Sequence, residues 1–293
     1  GIIFKKAILI SSIIATVFAV GLRFIVFRIK FIDANDDLSI QVHPNDELAA
    51  ERHNSFGKSE MWYIMHAEPG AELISGFKHE TEPEQYTKAV ENNSVLSLLA
   101  SYQVNKGDVF YIPAGRVHAI GKGIMLAEIQ QTSDITYRIY DYNRKDAAGN
   151  SRELHTELAK DAIDFKVYDS YKTEYEENIN HPVKLVTSPY FTTHLLEMDH
   201  QMERNYSAID SFVIYICMAG HCTVKDDKGN NSCLIINQTK ENGEFIIYYQ
   251  RKYFGVSSMD DDSKNIVSPT GTYDNFRFNE DGKFKITFDT RTE

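Results

Sequence analysis

Cysteine, proline and tryptophan are scarce in these 293 residues, at three, seven and one. The cysteines, Cys217, Cys222 and Cys233, are odd in number and include no Cys-x-x-Cys pair. That fits structural thiols in a reducing compartment better than a disulfide framework, so a cytoplasmic location is expected. Positive charge is short as well, with 31 Lys and Arg against 42 Asp and Glu and a net charge of −11. Such a surface repels phosphate backbones and anionic bilayers, so neither a nucleic-acid nor a membrane partner is expected. A small anionic ligand would need a local cationic pocket. No uncharged apolar stretch reaches the roughly 20 residues of a spanning helix. The longest, residues 7–20 (AILISSIIATVFAV), follows Lys5 and Lys6 in the basic-then-apolar order of a signal peptide, with Val17-Phe18-Ala19 as a candidate processing site. The ordinary alternative, a buried pair of β-branched strands or a buried helix, is the favoured reading.

What is plentiful is aromatic and β-branched. Seventeen Tyr and seventeen Phe against few helix-friendly stretches favour a chain rich in strands. Alternation of aliphatics with Arg23, Arg28 and Lys30 predicts a strand over residues 22–32, and another is expected over 38–42. Three helices are expected: 44–53 after Pro44, 82–99 with Tyr86, Val90, Leu96 and Leu99 near helical spacing, and 152–165 with Leu154, Leu158, Ala162 and Phe165 on one face. The boundaries read as an atypical apolar segment 1–21, a first domain 22–166, a polar and aromatic linker 167–182, and a second all-β domain 183–293. In the last, turn signals such as Asp227-Lys228-Gly229-Asn230 and Asp281-Gly282 punctuate short apolar runs.

Chemistry concentrates in the first domain. On a strand, residues i and i+2 share a face, so Gln41 and His43 point together, as do Lys58 and Glu60. Further on, Gly107-x5-Pro113-x-Gly115-x2-His118 reads as a turn, a strand, a sharp stop and a histidine delivered at a fixed offset. One amide oxygen, two imidazoles and one carboxylate from separate strands make a donor set suited to Zn²⁺ with a position left for water or substrate. Taken singly, each has an ordinary explanation: a satisfied strand histidine, a paired buried acid, a surface lysine. So His53, His66, His79, His155, His181, His194, His200 and His221 are left as ordinary histidines.

With these residues in view, Gly107 to His118 resembles the second cupin motif. More narrowly, IQVHP (40–44), GKSEMWY (57–63), IPAGRVHAIG (112–121) and RELH (152–155) together resemble the zinc-dependent class I mannose-6-phosphate isomerases in their short bacterial form. The likeness is dense from about residue 30 to 165. It implies a mainly β fold of two cupin-like jelly-roll barrels, with a few helices packed around the first and no metal site in the second. It also implies one Zn²⁺ per chain held by Gln41, His43, Glu60 and His118, a catalytic Arg138 within Thr136-Tyr-Arg-Ile-Tyr140, an active-site Lys58, and a phosphorylated hexose as substrate. The Trp-Gly turn and Gly-Glu-Ser-Trp-type strand of that family do not occur before Trp62, and the apolar run stands in their place.

Interconverting an aldose and a ketose requires proton abstraction beside a carbonyl through an enediol, so positive charge must meet the developing oxyanion and some group must move the proton. Lys58 and Arg138 supply the charge. Glu60, Lys58, a zinc-bound water and a histidine outside the ligand set all stand as candidate bases. Glu128 and Asp134 read either as partners orienting the ligands or as plain strand-face carboxylates. The competing reading is a non-catalytic cupin that binds a sugar or nucleotide and regulates. A cupin oxygenase fits less well, because Gln41 is a poor match to a histidine-rich iron site.

Overall fold

A computed structural model describes residues 4–11, 27–205, 213–225, 231–235, 247–250, 277–278 and 284–285. By their internal contacts these fall into two units: residues 27–174, and residues 4–11 with those from Tyr175 onward. The chain is mainly β. Its strands are β1 (Phe4–Ser11), β2 (Phe27–Ala34), β3 (Ile40–Val42), β4 (Glu60–Ala67), β5 (Glu72–Phe77), β6 (Leu99–Gln103), β7 (Val109–Ile112), β8 (His118–Ile120), β9 (Ile124–Gln131) and β10 (Tyr137–Tyr140), then β11 (Val183–Thr187), β12 (Thr192–Leu196), β13 (Val213–Lys225), β14 (Asn231–Ile235) and β15 (Ile247–Gln250). Two short strands, Arg277–Phe278 and Phe284–Lys285, pair with each other. Among the described residues three α-helices accompany them: α1 (Asp46–His53), α2 (Pro83–Glu91) and α3 (Thr156–Ala162).

In the unit of residues 27–174 there are two antiparallel sheets, one of order β10-β3-β8-β5-β6 and one of order β2-β9-β4-β7. Alternation along each strand decides what each face does. On the five-stranded sheet, Ile40, Val42, Ala119, Tyr137 and Ile139 turn outward into a buried cluster with Tyr86, Ala89 and Val90 of α2 and Ala159 of α3. The intervening residues turn inward. There Leu73 and Ile120 meet Trp62, Ile64, Phe110, Ile112 and Leu126 of the other sheet in a second, dry cluster. Helices thus cover one side of this sheet while the other side closes against its partner sheet.

The three expected helices form, with shifted ends. Asn45 caps α1, its side chain accepting from Leu48 N at 2.9 Å, so the helix opens after Pro44-Asn45. The second ends at Glu91, because Asn93 takes a left-handed φ of 54° and a 3₁₀ turn, Val95–Leu98, leads into β6. The third opens only at Thr156. Ahead of it the backbone is held by other partners: His155 N donates to Arg138 O at 2.7 Å, and Arg152 Nε donates to Asp141 at 2.7 Å.

The segment expected as a linker from 167 begins as a packed strap. Tyr171 is buried and donates to Phe77 O at 3.0 Å, and Lys172 pairs with Asp108 at 2.7 Å. Gly76 makes room for it, since at its φ of 76° a Cβ would sit 2.3 Å from the Tyr171 ring.

In the other unit the order is β11-β12-β1-β13-β14, with β15 also pairing β13. The first part of the apolar run, as β1, is therefore a strand between β12 and β13. Residues 12–20, with the candidate processing site, lie outside the described residues, as do the turns at 227–230 and 281–282 and the Cys217, Cys222 and Cys233 side chains. Among the described residues no helix is long and apolar enough to cross a membrane.

Candidate metal centre

Register brings the candidate ligands together. Arg138 of β10 lies opposite Gln41 of β3, Gln41 opposite His118 of β8, and His118 opposite Ser75 of β5. Directly opposed residues share a face, so these four form one row on the inner side of the five-stranded sheet. His43 follows β3 two residues after Gln41. From the facing sheet comes a matching row, Arg28, Gln130, Glu60 and Ile112, with Lys30, Glu128, Trp62 and Phe110 in the row beside it.

The Lys58–Glu60 pair is placed by the folding of α1. Lys58 N donates to Pro44 O at 3.2 Å and Gly57 N to Asp46 Oδ1 at 2.8 Å, folding the entry to β4 back on the helix start. A Cβ at Gly57 would lie 2.5 Å from the Asn45 and Asp46 backbone, so no other residue fits that turn. Gly115 plays a similar part on the other side, its N–H bonding His43 O at 2.8 Å.

His43, Glu60 and His118 are all buried and form a group able to hold a metal ion, their ligand atoms within 4.8 Å of one another. His43 Nε2 stands 3.2 Å from Glu60 Oε1, and His118 Nε2 is 3.9 Å from Glu60 Oε2. Each imidazole is held from behind, Nδ1 of His43 by Ile135 O at 2.9 Å and Nδ1 of His118 by Arg116 O at 2.8 Å. A carbonyl only accepts, so each Nδ1 carries the proton and each Nε2 offers its lone pair. The Gln41 amide nitrogen lies 3.3 Å from His118 Nε2, so the side-chain amide stands beside the three and offers its oxygen to an ion when the amide plane is turned over. Glu60 Oε1 has Lys58 Nζ at 3.0 Å and His43 at 3.2 Å, inside ion-pair range, yet neither contact has hydrogen-bond alignment. Buried donors left this way in a converging group are the signature of a site shaped for an ion.

Electrostatics set the ligand states. Burial, with Lys58 nearby, pushes His43 down to about 3, and burial lowers His118 too, so both are neutral imidazoles. For Glu60 burial acts upward, but the Lys58 ammonium outweighs it and holds the carboxyl well below its ordinary value. Glu128 goes the other way, raised by burial and then by the Glu60 charge.

Several residues join the site that the sequence did not single out. The indole N–H of Trp62 reaches both Glu60 Oε2 and Glu128 Oε2 at 3.1 Å, and its ring meets His118 edge-on at 5.4 Å. Lys30 pairs with Glu128 at 3.1 Å and Gln130 at 2.7 Å. Ser75 Oγ is buried with no hydrogen-bond partner. Their signal was available only as same-face arithmetic, and that needs the register. Of the two carboxylates left with alternatives, Glu128 is tied to Glu60 through Trp62, whereas Asp134 is about half exposed and pairs with Arg28. Arg138 shares the inner row, and its Nη1 donates to Glu153 O at 3.1 Å while its N–H meets His155 Nδ1 at 3.1 Å.

No family model matches the chain. It is similar to the mannose-6-phosphate isomerase ManA of Bacillus subtilis (strain 168), 44% identical over 166 residues, which are 56% of this chain and 52% of that protein. It is also similar to the mannose-6-phosphate isomerase of Streptococcus mutans serotype c, 37% identical over 196 residues, 67% of this chain and 62% of the relative. Among solved structures, the mannose 6-phosphate isomerase from Bacillus subtilis superposes with a TM-score of 0.54 at 29% identity, covering 71% of this chain and 60% of that one. The chain therefore spans between about half and two thirds of the relatives it matches. The resemblance read from the motifs is borne out by these similarities.

Proposed function

We propose that this chain is an aldose-ketose isomerase of the class I, zinc-dependent kind, interconverting mannose 6-phosphate and fructose 6-phosphate. The observation that carries the reading is the buried His43–Glu60–His118 group with Gln41 beside it and Lys58 at its edge. Zinc suits it: four donors at the metal's ~2.0–2.1 Å bond lengths stand about 3.3 Å apart in a tetrahedron. The 3.2 Å from His43 Nε2 to Glu60 Oε1 lies close to that spacing, and His118 Nε2 stands 3.9 Å from Glu60 Oε2. Neutral imidazoles and an ionised carboxylate are the protonation states such an ion requires.

When bound, Zn²⁺ supplies a Lewis-acid charge that polarises or orients sugar oxygens. The chain's own residues do the rest. Gln41, His43, Glu60 and His118 hold the ion, and the Ile135 and Arg116 carbonyls fix the imidazole planes. Lys58 and Arg138 supply the cationic charge that a phosphate or a developing enediolate needs in a chain of net charge −11. Glu128, with its raised pKa, is the carboxyl of the Glu60–Glu128 pair that holds a proton more readily. Trp62, Ile64, Phe110 and Leu126 back the site with a dry wall that excludes water from the far side.

The finer architecture belongs to the same reading: the two sheets of residues 27–174 as a cupin jelly roll, and a cupin-like second domain without a metal site. So does the division into 22–166, a linker 167–182 and 183–293. Similarity in sequence to proteins called mannose-6-phosphate isomerases supports the substrate assignment.

The test is a coupled assay of fructose 6-phosphate formation from mannose 6-phosphate, before and after stripping with a chelator and restoring Zn²⁺. Activity that vanishes with the chelator and returns with zinc is expected. A folded, zinc-replete chain that binds the sugar phosphate in calorimetry without converting it would replace this reading with the non-catalytic binding cupin.

A further inference from the structure

The turn that delivers His118 is gripped from outside by residues to which the reaction assigns no role. Arg116 stands two positions before that ligand and is 7% exposed. Its guanidinium lies 4.3 Å from the ring centre of Tyr171 and 4.8 Å from that of Tyr168, and among the described residues it forms no ion pair. A buried cation held chiefly by aromatic faces, with the Asp164 carboxylate near but not paired to it, is an uncommon choice, because cation–π contact offsets only part of the lost hydration. The planar, weakly hydrated guanidinium tolerates it better than an ammonium.

Both tyrosines belong to the strap after α3. Tyr171 is 5% exposed and anchored through its hydroxyl to Phe77 O, and Lys172 pairs with Asp108 at the start of the strand leading to the turn. Asp164 N donates to Gly115 O at 2.8 Å, so the strap and the turn are also joined through backbone next to Arg116. The carbonyl of Arg116 then accepts from His118 Nδ1 at 2.8 Å. A continuous path runs from the strap, through one residue, to the imidazole.

We propose that Arg116 is a positioning residue for the metal centre: clamped between Tyr168 and Tyr171, it pins the carbonyl that sets the plane and tautomer of His118. The inference rests on the metal-centre reading of His43, Glu60 and His118. It gives the strap a function beyond connection, since loosening it would blur the geometry of one ligand.

The test measures Zn²⁺ affinity of the full chain by competition with a chromophoric chelator at fixed pH, beside urea unfolding of the same samples. Arg116→Met and Tyr171→Leu are each expected to weaken zinc binding roughly tenfold, the size of effect seen for groups that orient ligands. The double variant should lose little more than either single one, because both break the same clamp. Tyr171→Phe, which keeps the ring, should bind zinc nearly as the unaltered chain does. Arg116→Lys should fall between that chain and Arg116→Met. If Tyr171→Leu does not fold, the Arg116 pair decides alone. Unchanged zinc affinity in Arg116→Met, even with a lowered urea midpoint, overturns the clamp and leaves a merely structural contact. Failure of the unaltered chain to bind zinc overturns the metal centre itself, and this inference with it.

Discussion

The two faces of the five-stranded sheet are built from alternate residues of the same short strands, yet they do opposite work. On β3, Ile40 and Val42 enter the outer cluster under α2 and α3, while Gln41 between them turns to the donor group. On β10, Tyr137 and Ile139 go outward and Arg138 goes inward. The outer face holds apolar volume, and the inner face at this end holds charge that would be costly if its partners were lost. A period of two thus lets stability and chemistry be altered separately, residue by residue.

The sharpest break of that separation is on the inner face. His118→Ala is expected to abolish turnover and to weaken zinc binding by more than ~100-fold, beyond the range for residues that only orient ligands. Circular dichroism should still report a folded chain. Its counterpart outside is Ile139→Ala, fully buried in the outer cluster. Urea unfolding should show a loss of about 2–5 kcal/mol, with zinc affinity of the folded protein unchanged. A large fall in affinity there would mean the two faces are not independent.

Acid should find the inner face first. Burial and Lys58 hold His43 at about 3 in the folded protein against 6.5 for the free side chain. Between those values the unfolded chain binds more protons than the folded one, so stability rises with pH and is lost on acidification through that window. Below the ordinary carboxylate range Glu60 adds a loss of the same sign, whereas Glu128, with its raised pKa, opposes it. Metal-free protein is expected to lose on the order of a few kcal/mol between pH 6.5 and 3, measured by urea titration at several pH values. The opposite slope would mean that His43 is charged in the fold.

A gentler probe is Trp62→Phe. It keeps the apolar wall but removes the N–H shared by Glu60 and Glu128. Zinc affinity should fall roughly tenfold, read by chelator competition, with a modest cost in stability. No change would mean the indole serves as packing alone.

Much of this is legible in the sequence. The i, i+2 rule paired Gln41 with His43 and Lys58 with Glu60, and those pairs do converge. The Gly107-to-His118 spacing marked a strand that stops sharply and hands over a histidine, which is how β7, the turn and β8 are arranged. Helix ends were less legible, because what ended them was not propensity. Residues 152–155 have helical character, but their backbone and side chains bond β10 and Asp141 instead. Polar and aromatic composition made 167–182 read as a linker, yet Tyr171 fits a space that Gly76 leaves open on a strand nearly a hundred positions earlier.

What the sequence determined by itself is local: strand alternation, the short helix after Pro44, the sharp stop at Pro113 and Gly115, and which side chains can present nitrogen and oxygen donors together. These follow from backbone geometry within a few residues. Which strands would become neighbours was decided only by the tertiary structure. Trp62 joins Glu60 to Glu128, Lys30 meets Glu128, Ser75 lies opposite His118, and Arg116 is held by a strap fifty residues away. Such contacts come from register and from packing two sheets face to face, and no local rule along the chain contains them.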